Sequence, residues 1–195
     1  MNTPNKLTLL RIILAPFFMI FFLIDNFYMR LTGLLLFIIA SLTDLADGYY
    51  ARKYGITTGF GKFMDPLADK ILVSSALVSF IALNYVSPLP VILIIGREFS
   101  ITGLRLLAAY RGVIIPPTWG AKLKTFMQMT AVGVILAYIF VATAFLYFDS
   151  DSTALAGFDH RFYFNLLLWA TSVITVWTGI DYIIKYFYMI KTALK

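Results

Sequence analysis

The chain contains no cysteine and a single histidine, His160. The first absence excludes a disulfide frame or a thiolate-bound metal, and the second argues against a histidine-rich zinc centre. Charge is also scarce. Asp, Glu, Lys and Arg make up 13% of the 195 residues, against about a quarter in a soluble domain. No basic soluble module is present to carry nucleic acid, so that class of partner is set aside. No internal repeat, low-complexity tract or soluble linker divides the sequence, and one domain over 1–195 is expected. Apolar residues, by contrast, make up 61% of the chain, with 18 Phe among them. That surplus cannot be hidden from water by a chain this size, so the bilayer is the expected solvent.

A spanning helix needs about 20 largely apolar residues. Six stretches qualify, 7–24, 31–53, 62–83, 89–110, 121–147 and 162–190, which predicts an all-α membrane protein with six transmembrane helices. The third and fourth are separated by Ser87-Pro88-Leu89-Pro90, a punctuation no single helix carries. Lys6 and Arg11 ahead of an apolar run resemble a signal peptide, but no small-x-small cleavage site follows, and the first span is read as a retained helix. With the N-terminus inside, fourteen of the sixteen Lys and Arg fall on the cytoplasmic side and only Arg30 and Arg161 on the other. That asymmetry predicts a multi-pass protein with both termini cytoplasmic. The net charge of +6 suits anionic headgroups and phosphates. Asp149, Asp151, Asp159 and His160 are read as solvated outer-loop residues.

Carboxylates at membrane depth are costly and mark function. At about 100° per residue, Asp44, Asp47, Gly48, Ala51 and Arg52 share one stripe of the second helix, and Gly61, Asp65 and Asp69 share a face of the third. A short loop at about 53–60, containing Gly55 and Gly59, lets each helix turn two carboxylates toward a common space. Four crowded carboxylates repel, and burying them uncompensated is prohibitive. Two divalent cations would balance them, and oxygen-only ligation selects hard ions, Mg²⁺ or Mn²⁺. Such a pair can clamp a diphosphate during in-line displacement. Gly48, Ala51 and Gly61 leave room for a nucleotide against the backbone, and Arg52 can reach a phosphate oxygen. Solvated helix-end charge is the plainer reading of one Asp pair, but it fits two pairs on matched faces poorly.

Asp44-x2-Asp47-Gly48-x2-Ala51-Arg52-x8-Gly61-x3-Asp65-x3-Asp69 resembles the complete signature of the CDP-alcohol phosphotransferase family. The resemblance implies the six-helix fold of that family, a homodimer, a cytosol-facing site, release of CMP, and two metal ions held by the four Asp. It implies a second role for Asp69, as general base toward the acceptor hydroxyl. It also implies that Gly48, Arg52 and Thr58 hold the CDP moiety. Over nearly its whole length the chain is similar to the branch of the family that makes phosphatidylglycerophosphate in bacterial cell membranes. That similarity implies CDP-diacylglycerol as donor and glycerol 3-phosphate as acceptor. The start, Asn2-Thr3-Pro4-Asn5-Lys6-Leu7-Thr8 through Arg11, is similar to the branch's N-terminal motif, where Asn5 and Thr8 would touch the cytidine end. An ordinary helix start with Asn5 as cap is the alternative. The branch often has Ile where this chain has Thr3.

Arg97 and Arg105 fall on one helical stripe, and two guanidiniums facing a polar space suit a second phosphate, which an inositol or serine acceptor lacks. Lys122 and Lys124 match a third segment of the branch but lie about 200° apart on a helix, so one of the two faces the acceptor. Ala121 intervenes between Gly120 and Lys122, where the family has Lys directly after Gly. All four basic residues can also be read as topogenic charge reaching to headgroups. A relative using another acceptor (phosphatidylglycerol, inositol phosphate or serine) is the nearest competing function. A divalent-cation transporter is a different class, and it would need acidic groups along the whole membrane depth, whereas these four sit at one end.

Overall fold

The computed structural model describes residues 3–54, 59–113, 116, 119–148 and 159–194, and the side chains of 6–44, 64–113, 116, 119–148 and 159–188. Within them are six helices and no strand: α1 (Thr3–Leu23), α2 (Phe27–Tyr54), α3 (Gly59–Ala82), α4 (Pro88–Tyr110), α5 (Trp119–Phe148) and α6 (His160–Leu194). The expected six helices are present, each within a few residues of its anticipated bounds. Lys6–Leu23, Phe27–Asp44, Trp119–Phe148 and His160–Tyr188 are long and apolar enough to cross a membrane. Helices α3 and α4 have 24 and 23 residues, long enough by length alone, but carry Asp65, Asp69 and Lys70, and Arg97, Glu98 and Arg105, respectively. Large apolar side chains stand exposed along the spans, among them Ile13, Phe17 and Ile20 of α1 and Val173, Trp177 and Ile184 of α6. In water such surfaces would aggregate, whereas in lipid they are solvated. The protein is a membrane protein.

Packing divides the chain into two compact units, Met1–Asn84 with Val134–Asp159, and Tyr85–Gly133 with His160–Lys195. In the first, α1 packs against α2 and α3. Phe18, Phe22 and Phe37 interlock there beside Ala15 and Ala40. The turn between α1 and α2 is three residues long. The Asn26 side chain accepts the backbone N–H of Tyr28 at 2.9 Å and of Met29 at 3.3 Å, capping α2. At Gly33 an added Cβ would stand 2.9 Å from the Phe22 backbone nitrogen, so the approach of α1 to α2 requires glycine there. Arg30 is buried, donating to Thr143 Oγ1 at 2.6 Å and pairing with Asp25 at 2.9 Å.

In the second unit α4 lies along α6. Pro88 opens α4, where its missing N–H costs nothing, and Ser87 donates its N–H to Asn165 Oδ1 at 2.7 Å. Gly112, with φ +77°, closes the helix: its N–H bonds Ala109 O at 3.0 Å and that of Val113 bonds Ala108 O at 2.8 Å. The face of α4 that includes Val91, Ile94, Glu98, Ile101 and Ala108 is buried. On α6, Phe164, Leu168, Thr171, Thr175, Thr178 and Tyr182 are buried at helical spacing. His160, read as an outer-loop residue, instead begins α6 and packs against Tyr85 with ring centroids 5.1 Å apart.

Candidate functional site: three carboxylates and a basic seam

Two clusters of ionisable side chains stand inside this apolar framework, one in each unit. In the first, α2 contributes Asp44 and α3 contributes Asp65 and Asp69. The carboxylate of Asp44 is in electrostatic reach of Asp69, Asp65 and Lys70, so three of the four anticipated aspartates do share one space. Each has a partner. Arg11 Nη1 lies 2.7 Å from Asp44 Oδ1, and its Nε donates to the Ala40 carbonyl at 3.3 Å. Thr8 donates its hydroxyl to Asp65 Oδ1. Lys70 pairs with Asp69 Oδ2 at 2.8 Å.

Thr8 and Arg11 lie three residues apart on one face of α1 and are both fully buried. Thr8, expected at the cytidine, has its hydroxyl on the Asp65 carboxylate in this structure. In the sequence Arg11 reads as a topogenic charge at the end of the N-terminal motif, with no place assigned to it among the carboxylates. The signal for it was available, since a guanidinium at the ninth residue of an apolar helix needs a counter-charge, but the partner lies 33 positions later on another helix. Asp47, Gly48, Ala51 and Arg52 lie on α2 and Gly61 on α3, with their side chains outside the described residues, as is that of Asn5. Thr58 lies outside the described residues altogether. Among the described residues no three acidic or histidine side chains are arranged to hold an ion by themselves. The donors present are carboxylate and hydroxyl oxygens, the kind that Mg²⁺ and Mn²⁺ take.

The second cluster separates the basic residues that the sequence left side by side. Lys124 is 3% exposed and is bound to Glu98, itself buried, which also takes Arg97 Nη1 at 3.1 Å. Arg97 extends across Gly179, whose Cβ would meet the Arg97 side chain at 3.0 Å, and its Nη2 donates to Thr178 Oγ1 at 3.3 Å. One carboxylate therefore anchors two cations, the arrangement that makes buried charge tolerable. Lys122 and Arg105 are exposed and line an open cavity of about 530 Å³ together with Ala121, Thr125, Phe126 and Met129. Of the four basic residues, these two share that cavity, whereas Arg97 borders a smaller one of about 210 Å³ beside Gly179.

The CDP-alcohol phosphatidyltransferase family model matches residues 1–178, which covers α1 through most of α6. The chain belongs to the CDP-alcohol phosphatidyltransferase family. Among curated relatives in this family, the CDP-diacylglycerol–glycerol-3-phosphate 3-phosphatidyltransferase of Bacillus subtilis (strain 168) is 41% identical, over 98% of each chain. The enzyme of the same name from Rickettsia typhi is 38% identical, over 93% of this chain and 94% of its own. That of Haemophilus influenzae is 35% identical, over 93% and 91%. As a CDP-alcohol phosphatidyltransferase the chain is a transferase, and the matched span contains both clusters.

Proposed function

We propose that the protein transfers the phosphatidyl group of CDP-diacylglycerol to glycerol 3-phosphate, giving phosphatidylglycerophosphate and CMP. The observation that carries this reading is the gathering of Asp44, Asp65 and Asp69 from two helices, in a chain that matches relatives named for the reaction over nearly its full length. Asp44, Asp47, Asp65 and Asp69 would hold two divalent cations, Mg²⁺ or Mn²⁺. When bound, these supply positive charge against the diphosphate of the donor. Asp69 takes the proton of the acceptor hydroxyl, whose oxygen attacks the phosphatidyl phosphorus as the bond to CMP breaks. Gly48, Ala51, Arg52, Thr58 and Gly61, with Asn5, bind the CDP end. Thr8 steadies Asp65 beside them. Arg105 and Lys122 receive the acceptor phosphate, and Glu98 holds Arg97 and Lys124 in register behind them. The protein acts in the cell membrane of a bacterium as a homodimer, with the site on the cytoplasmic side; the distribution of basic residues supports that orientation.

The test is purified protein in detergent or vesicles with CDP-diacylglycerol, offered each candidate alcohol while CMP is measured. Release with glycerol 3-phosphate alone is expected, release with inositol phosphate, phosphatidylglycerol or serine in its place would overturn the acceptor, and no release with any of them would overturn the reaction. Arg105→Ala is expected to raise KM for glycerol 3-phosphate about ten- to a hundredfold, the worth of one charge-assisted contact, with KM for CDP-diacylglycerol nearly unchanged. Equal effects on the two substrates would place this arginine away from the acceptor.

A further inference from the structure

The buried stripe of α6 holds more polar atoms than its packing uses. Thr171, Thr175, Thr178 and Tyr182 are each no more than 4% exposed. Thr171 returns its hydroxyl to the Leu167 carbonyl and Thr178 to that of Thr175. The Tyr182 hydroxyl has no hydrogen-bond partner among the described residues, nor does Arg97 Nε, and both atoms are buried. A buried phenol hydroxyl left unpaired is costly, and a tyrosine ring alone could be supplied by phenylalanine at no such cost. The ring is well packed. It rests on Ile101 and Ala108 of α4, flanked by Leu104, Val113 and Tyr186. Its neighbours on that face are charged: Arg105 and Arg97 both act on it electrostatically, and Arg105 opens on the cavity shared with Lys122. An unpaired donor thus lies in the field of two guanidiniums, Arg97, which is paired with Glu98, and Arg105, which opens on the cavity, a setting that suits an anion bearing several acceptor oxygens on the Arg105 side.

We infer that Tyr182 is a specificity-determining residue that donates its hydroxyl hydrogen to the phosphate of the acceptor held by Arg105. The inference rests on the proposed acceptor reading and adds a neutral, directional contact to it. Charge alone attracts any anion to Arg105, whereas a fixed hydroxyl donor favours an anion that places an acceptor oxygen at that point over one that leaves the hydroxyl unpaired. The kink of α6 at Tyr186 (φ −109°, ψ 15°) falls one turn beyond, and the Tyr186 ring, 5.0 Å from that of Tyr182, backs it.

Tyr182→Phe tests this without disturbing the packing, because only the hydroxyl is removed. KM for glycerol 3-phosphate is expected to rise about tenfold, with KM for CDP-diacylglycerol and the melting temperature unchanged. Inhibition by inorganic phosphate should weaken by a similar factor, a readout that a purely structural tyrosine would not move. A variant with wild-type KM for both substrates would overturn the inference, and so would one in which both KM values rise together. Wild-type protein inert toward glycerol 3-phosphate would sink the acceptor reading itself; an active wild type with an unaltered Tyr182→Phe variant would sink this inference alone.

Discussion

Asp69→Asn is expected to lower kcat by about 10²–10⁴ while CDP-diacylglycerol binding in the presence of divalent metal stays within about tenfold of wild type. The separation of the two effects follows from what the substitution removes. Asparagine keeps the shape of the side chain and one oxygen, so a ligand role survives in part, but the amide cannot accept the proton of the attacking hydroxyl. The partner Lys70, 2.8 Å away on the neighbouring residue, is largely buried and stays in place, so the site keeps its shape. Single-turnover rates beside equilibrium binding of the donor lipid would read the two roles separately. Binding that collapses together with turnover would make Asp69 chiefly a ligand, and a kcat that scarcely moves would end its assignment as the base.

Asp44→Asn, Asp47→Asn and Asp65→Asn are each expected to abolish turnover, since each takes one negative charge from the site proposed to balance two divalent cations. Substantial activity of all three at millimolar Mg²⁺ would sink the two-ion reading. The structure further separates two of them by stability. Asp65→Asn retains an oxygen that can accept the Thr8 hydroxyl. Asp44→Asn weakens an ion pair of Arg11, a guanidinium with almost no exposed surface of its own. Breaking an ion pair costs about 3–5 kcal/mol when both partners are enclosed, and less here, because the Asp44 side chain is 44% exposed and water screens the loss. Melting temperatures should therefore rank Asp44→Asn below Asp65→Asn, though both are inactive.

The helices and the acidic residues were legible in the sequence for the same reason: charge is expensive in lipid, so its rare occurrences are informative. Ser87-Pro88-Leu89-Pro90 marked the break before α4 because proline lacks the donor that a continuing helix needs. Helical periodicity alone brought Asp65 and Asp69 to one face of α3. It could not show Arg11 against Asp44, because a contact between residues far apart in sequence depends on how α1 packs on α2, and no periodicity encodes that. Lys122 and Lys124 illustrate the same limit. Their separation around the helix said that they point apart, but which of them is buried depended on Glu98, whose ion pair holds Lys124 while Lys122 lines the cavity. Tyr182 gave no sign at all, being one of 12 tyrosines in a chain rich in aromatic residues.

The contact at Gly33 bears on how the molecule is made. With three residues between them, α1 and α2 can form a hairpin before α3 follows them into the membrane. Lipid offers helices no hydrophobic reason to associate, so close backbone approach has to hold such a hairpin together while it waits. A larger side chain at Gly33 would prise it open at the Phe22 backbone during that interval, exposing it to the proteases that clear unassembled spans. The damage would appear as less protein in the membrane, with each surviving molecule working at its usual rate.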